Sequence, residues 1–202
     1  MEFIQTHQTH SWIAFIDLDE FIEMKDMNKY PHIMDLLDTV PQDAGGLTLN
    51  WQVFHWNNQT RYEPKPLSLR FDHYRTNKHV KTIARADRIQ SIHIPHCMIY
   101  KKGFKAVDSN GDIVEGPINE RMPMDVAAIN HYGSKSLEEY MLRCKRGRAT
   151  IAAVQTADTY HPCKPENEII AEWKRSKTPS YFDNQVWELL KERVPIYKDK
   201  YE

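Results

Sequence analysis

The chain has 202 residues, of which 41% are hydrophobic and 11% aromatic, enough for one large domain or a domain with an extension. That composition supports a real core and excludes a disordered chain. A formal net charge of -1 gives no global attraction to nucleic acid or an anionic membrane, so any anion site must be local.

Trp12–Ile16 reads as a buried strand that stops on Asp17, Asp19 and Glu20. Residues i and i+2 of a strand share a side, so Asp17 and Asp19 are expected to project together. Two carboxylates held that close repel unless a positive group sits between them. At the carboxyl end of a strand in an α/β sheet, a divalent cation and a phosphorylated ligand answer that need. The same residues also fit a polar loop that caps the next helix.

Pro31–Val40 follows as a short helix with Ile33, Leu36, Leu37 and Val40 on one face, ended by Pro41. Gly45-Gly46 leads into a strand over Leu47–Phe54. Residues 55–66 form a polar, aromatic loop without periodicity. Leu67–Tyr74 reads as helical and Val80–Ala86 as a strand. Lys105–Val114 reads as a hairpin, because Asn110-Gly111 is the strongest two-residue turn signal. Val126–His131 is a further strand. From Ser136 the pattern turns helical, with Ser136 and Glu139 as a capping box and Leu137, Tyr140, Met141 and Cys144 on one face. A last helix starts near Asp183 and carries Val186, Leu189 and Leu190.

The three cysteines (Cys97, Cys144, Cys163) are odd in number and lack metal-ligand spacing, which favours a reducing compartment over a disulfide framework. No stretch has the apolar length of a membrane span, and no signal-peptide pattern opens the chain. A cytoplasmic location is the resulting expectation.

The second chemistry-bearing segment places His131 at a strand end, Lys135 four residues on and a helix N-terminus directly after. An imidazole can complete the coordination of a metal held by carboxylates. An ammonium and helix N-terminal amides can neutralise phosphate oxygens. A half-buried histidine and a solvated lysine are the plain alternative. Lys145, Arg146 and Arg148 sit at the far end of the helix, where they serve its dipole or a phosphate equally well.

Taken together, these motifs mark a family. Trp-Ile-Ala-Phe-Ile-Asp-Leu-Asp-Glu-Phe-Ile from Trp12 resembles the Asp-x-Asp strand of family 92-like glycosyltransferases and their family 2 relatives, which have the GT-A fold. Trp51-Gln52-Val53-Phe54, Lys81-Thr82-Ile83-Ala84-Arg85, Ile94-Pro95-His96, Phe104-Lys105-Ala106-Val107-Asp108 and Glu115-Gly116-Pro117 follow in the family's order. Asn130-His131-Tyr132 with Lys135-Ser136 and Glu138-Glu139-Tyr140, then Lys145-Arg146-Gly147-Arg148, is the most specific piece. The resemblance covers residues 12–150, and several ordered motifs carry more weight than one.

The resemblance implies a GT-A-like α/β core, a mixed sheet flanked by helices, over residues 1–150. A helical extension over 151–202 would pack on it. It also implies transfer of a sugar from a nucleotide-sugar, UDP-sugars first, to a carbohydrate or glycan hydroxyl with manganese or magnesium. By the same resemblance Asp17 approaches the nucleotide side of the donor and joins Asp19 and His131 at the metal, while Lys135 and Arg148 contact the diphosphate. Deprotonating the acceptor also needs a base; Glu63 and Asp72 are candidates, each of which also reads as a plain surface charge, and no base is assigned. Two departures stand out. Only ten residues precede Ser11-Trp12, where GT-A enzymes carry βαβ units, so an N-terminally truncated nucleotide pocket is expected. His55-Trp56-Asn57-Asn58-Gln59 replaces the family's small glycine and serine residues, which leaves the acceptor open.

Two other readings compete. Haloacid-dehalogenase-like phosphatases also begin with an apolar strand ending in Asp-x-Asp around magnesium, but they continue with Gly-Thr and later carry an Asp-Asp pair. Here Glu20-Phe21 follows, and no such pair occurs. The other is a non-catalytic remnant that serves as an interaction module.

Overall fold

In the computed structural model of the protein, residues 11–146, 167–168, 170–171, 181–182, 188 and 192 are described. The chain divides into two compact units, Met1–Val53 with Thr76–His131 and Phe54–Arg75 with Tyr132–Glu202. Among the described residues the architecture is mixed α/β, strand-rich with few helices, and consistent with a GT-A-like core.

In the first unit the sheet is organised around β3 (Ala44–Phe54). Its order is β1 (Trp12–Ala14), β4 (His73–Arg85), β3, β7 (Lys105–Val107) and β8 (Ile113–Val114). β3 pairs in parallel with β7 near its start, at Leu47↔Val107. Near its end it pairs in parallel with β9 (Ala127–His131), at Val53↔His131. β9 also carries β2 (Glu20–Met24) antiparallel to it, with Glu20 opposite His131. β5 (Ile89–Ile94) and β6 (Cys97–Tyr100) form a separate two-stranded hairpin.

The expected helical face is present. α1 (Ile33–Leu37) buries Leu36 and Leu37, and these pack with Val40, Leu47, Leu49, Ile83 and Ile129. Each such aliphatic side chain contributes roughly 1.5–3 kcal/mol on burial. Gly45 and Gly46 lie inside β3 rather than before it, and close approach explains the residue type. A Cβ on Gly46 would stand 2.6 Å from the Ile83 carbonyl oxygen, and one on Gly45 would stand 2.5 Å from the Tyr100 ring.

In the second unit Phe54, Phe71 and Tyr132 form a small core, with Phe54 and Tyr132 stacked at 4.5 Å. α3 (Leu137–Arg146) begins on the expected capping box. Glu139 N–H donates to Ser136 Oγ at 3.3 Å, and Ser136 N–H donates to Glu139 Oε2 at 3.2 Å. β10 (Tyr181–Phe182) pairs with the first residues of β4.

Three expectations change. The helix at 67–74 shortens to α2 (Leu67–Arg70), because His73 already begins β4. The two-residue turn at Asn110-Gly111 is a loop over residues 108–112, with Gly111 at φ +87°. Buried Asp108 organises it by accepting the N–H groups of Asn110 and Asp112 on one oxygen and Asn119 and Arg121 on the other. The third change concerns Asp17 and Asp19, described below. Most of the helix expected from Asp183, including Val186, Leu189 and Leu190, lies outside the described residues, as does Arg148.

Candidate active site

β1 ends at Ala14, so Asp17 and Asp19 do not extend from a strand. Asp17-Leu18-Asp19-Glu20 is instead a turn, closed by Glu20 N–H donating to the Asp17 carbonyl at 3.0 Å. A second bond runs the other way, from Asp17 N–H to Glu20 Oε2 at 3.0 Å. The physical reason for the turn is the third carboxylate. Glu20 is the first residue of β2 and points into the protein, where it meets Lys81 from β4.

Lys81 Nζ lies 2.9 Å from Asp17 Oδ2 and 3.0 Å from Glu20 Oε2. The Lys81 and Glu20 side chains are fully enclosed, whereas Asp17 keeps 59% of its side-chain surface exposed. Glu20 Oε1 is buried without a hydrogen-bond partner among the described residues. Burial pushes the Glu20 pKa up, against the opposing pull of the Asp17 N–H and Lys81. Leu18 stands fully exposed at the tip, and the Asp19 carboxylate makes no hydrogen bond or ion pair among the described residues.

Beside the turn, His131 is the last residue of β9 and packs on Trp51 with ring centroids 4.3 Å apart. The same indole stacks on His79 at 5.3 Å and meets the edge of His96 at 5.1 Å. His96 Nδ1 faces the Val80 carbonyl at 3.0 Å. A carbonyl only accepts, so that nitrogen carries a proton. His79 is held the same way by Asn77 Oδ1 at 2.8 Å. Burial first, then His96 and Lys78, lower the His79 pKa, which favours a neutral imidazole able to take a proton.

The start of α3 differs from expectation. Leu137 N–H donates to the Gln59 carbonyl and Glu138 N–H to the Thr60 carbonyl, each at 3.0 Å. With Ser136 and Glu139 engaged in the capping box, the first-turn amides are committed to the loop and the cap rather than to an anion. Lys135, just before the cap, holds φ +53°, a conformation rare for a side chain of its size, and its ammonium has no partner among the described residues.

Two carboxylates and an imidazole are a donor set that suits magnesium or manganese. The open Asp19 carboxylate fits that role in chemistry. No group of three or more His, Cys, Asp or Glu side chains is gathered for a metal among the described residues, however. Asp17, Asp19 and His131 therefore do not form a closed ligand set in the first unit.

The family model of glycosyltransferase family 92 matches residues 3–186. The chain belongs to glycosyltransferase family 92. No curated protein matches it. The match runs past both ends of the span over which the motifs were recognised, and it makes the chain a transferase acting between a sugar donor and an acceptor. Family 92 membership also takes the haloacid-dehalogenase reading out of contention. No helix among the described residues is long and apolar enough to cross a membrane.

Both candidate bases in the family 92 chain are already engaged. Asp72 Oδ1 accepts from Asn57 Nδ2 and faces His73 Nδ1, and Glu63 pairs with Lys65 at 2.9 Å. A cavity of about 190 Å³ beside Thr82, Tyr100 and Phe104 includes none of Asp17, Asp19 and His131 in its lining. Sequence reading missed Glu20 and Lys81 as partners, and it missed the histidines around Trp51. Lys81 did leave a signal: a lone charge in the apolar run Val80–Ala84 is a candidate for burial with a counter-charge.

Proposed function

We propose that this family 92 chain transfers a sugar from a nucleotide-sugar, a UDP-sugar first, to a hydroxyl of a carbohydrate or glycan acceptor with the help of manganese or magnesium. The observation that carries the reading is the Asp17–Glu20 turn, which is fixed from within by Lys81 while Asp19 stays open. Asp19 and His131 hold the ion, and Asp17 contributes the oxygen that Lys81 leaves free. When bound, the ion offsets negative charge on the diphosphate. Lys135 and Arg148 are the cations for its remaining oxygens, where charge develops as the glycosidic bond breaks. The ammonium of Lys135, without a partner among the described residues, supports that role. A cytoplasmic site of action goes with this reading.

Thermal unfolding with and without UDP plus manganese tests the donor site. The wild type is expected to melt higher with both, since a ligand that binds only the native state raises its stability. Asp19→Ala and His131→Ala should lose that rise. An unchanged melting temperature in the wild type sinks the donor-site reading.

A further inference from the structure

We propose that Lys81 is a positioning residue for the metal-binding turn, an internal cation that fixes Asp17 so that its second oxygen faces outward before any ligand arrives. The inference rests on the donor-site reading above. Its basis is the geometry of one fully buried ammonium between two carboxylates of the same turn, 2.9 Å from Asp17 and 3.0 Å from Glu20. A lysine serving only as packing would not need two acids from one four-residue segment. Glu20 anchors the ammonium from inside, and among the described residues its other oxygen has no hydrogen-bond partner, so the pair is not arranged for stability alone. Asp17 is the exposed end of the relay. Lys81 engages Oδ2, and no hydrogen bond or ion pair engages Oδ1 among the described residues. Groups behind a metal ligand that fix its orientation are worth 10–100-fold in affinity by general experience, roughly the size expected here.

The test separates positioning from folding and from simple charge. Lys81→Met alone strands the buried Glu20 carboxylate and can unfold the protein, so the informative variant is the pair Glu20→Gln/Lys81→Met. It removes one charge of each sign and leaves the net charge unchanged. Two readouts are taken on the full chain. The first is amide hydrogen exchange of residues 17–20 without metal. The second is manganese affinity by calorimetry. The double variant should keep the fold, exchange the Asp17 and Glu20 amides faster, and bind manganese about 10–100-fold more weakly. Lys81→Arg, which keeps a cation at that position, should retain part of both. Wild-type exchange and wild-type manganese affinity in the double variant overturn the proposal, while the donor-site reading survives. If the wild type itself binds no manganese, the donor-site reading fails and takes the metal role with it. Exchange then still decides whether Lys81 orders the turn.

Discussion

In the first unit Lys81 faces Glu20 across 3.0 Å with both side chains enclosed; in the second Arg70 faces Glu139, whose side chain keeps 18% of its surface exposed. Burial raises the pKa of both acids, yet the outcomes are opposite. Glu20 ends above its ordinary value. Glu139 ends below, because hydrogen bonds from Arg70 and from the Ser136 hydroxyl and amide outweigh its burial. The difference lies in the number of donors per carboxylate. Glu139 takes Arg70 on both oxygens, while Glu20 shares one ammonium with Asp17 and has one oxygen without a hydrogen-bond partner among the described residues. A cation nearby does not by itself make a buried carboxylate comfortable. The Arg70 pair acts as a fastener between α2 and α3, whereas Glu20 beside Lys81 ends with its pKa raised, the direction expected of a carboxylate buried with too few donors.

The largest way to break that contrast is Lys81→Met. Stranding a buried charge typically costs about 3–5 kcal/mol, read by urea or thermal unfolding. Adding Glu20→Gln should return most of the loss. If the double variant is as unstable as the single one, Lys81 matters for packing rather than for charge. Gly46→Ala comes next. Its new Cβ meets the backbone of Ile83 and Ala84, on the strand that carries Lys81, and overpacking of this kind costs about 1–3 kcal/mol. A neutral result would show that β3 and β4 yield easily. Ser136→Ala should cost about 1 kcal/mol by removing the α3 cap. A loss of several kcal/mol would mean that the Arg70–Glu139 pair depends on it.

The smallest effects are the pH limbs, and they carry opposite signs. Glu139 has a folded pKa below its reference value of 4.5, so its contribution is complete above that pH and is lost as pH falls through the folded pKa. Glu20 has a folded pKa above 4.5, so the native state holds its proton longer and stability falls as pH rises from 4.5 towards the folded pKa. Urea melts from about pH 3 to about pH 7 should show Glu139→Gln flattening the acid-side loss. Glu20→Gln should remove the decline on the other side. Two variants that alter the same limb with the same sign would contradict the comparison.

What was legible in the sequence was local. The Ser136–Glu139 cap and the apolar face of α1 depend on residues three or four apart, and the β9 strand ending on His131 on a contiguous apolar run; all three are present. The five-residue loop at 108–112 was hidden, because Asp108 is held by Asn119 and Arg121 from beyond the hairpin. β2 was hidden for a related reason: Glu20 and Glu23 interrupt its apolar pattern, and both are buried. The Asp-x-Asp motif was visible, but its setting was not. A partner 64 residues away, Lys81, turns an expected strand end into a turn.

Release of UDP from a panel of UDP-sugars, with manganese or with a chelator, tests the central claim most directly. The wild type should release UDP only with the ion, and Asp19→Ala should slow release by about 100-fold or more, as expected when charge stabilisation at the leaving group is lost. Release that ignores both the chelator and Asp19→Ala would contradict the account.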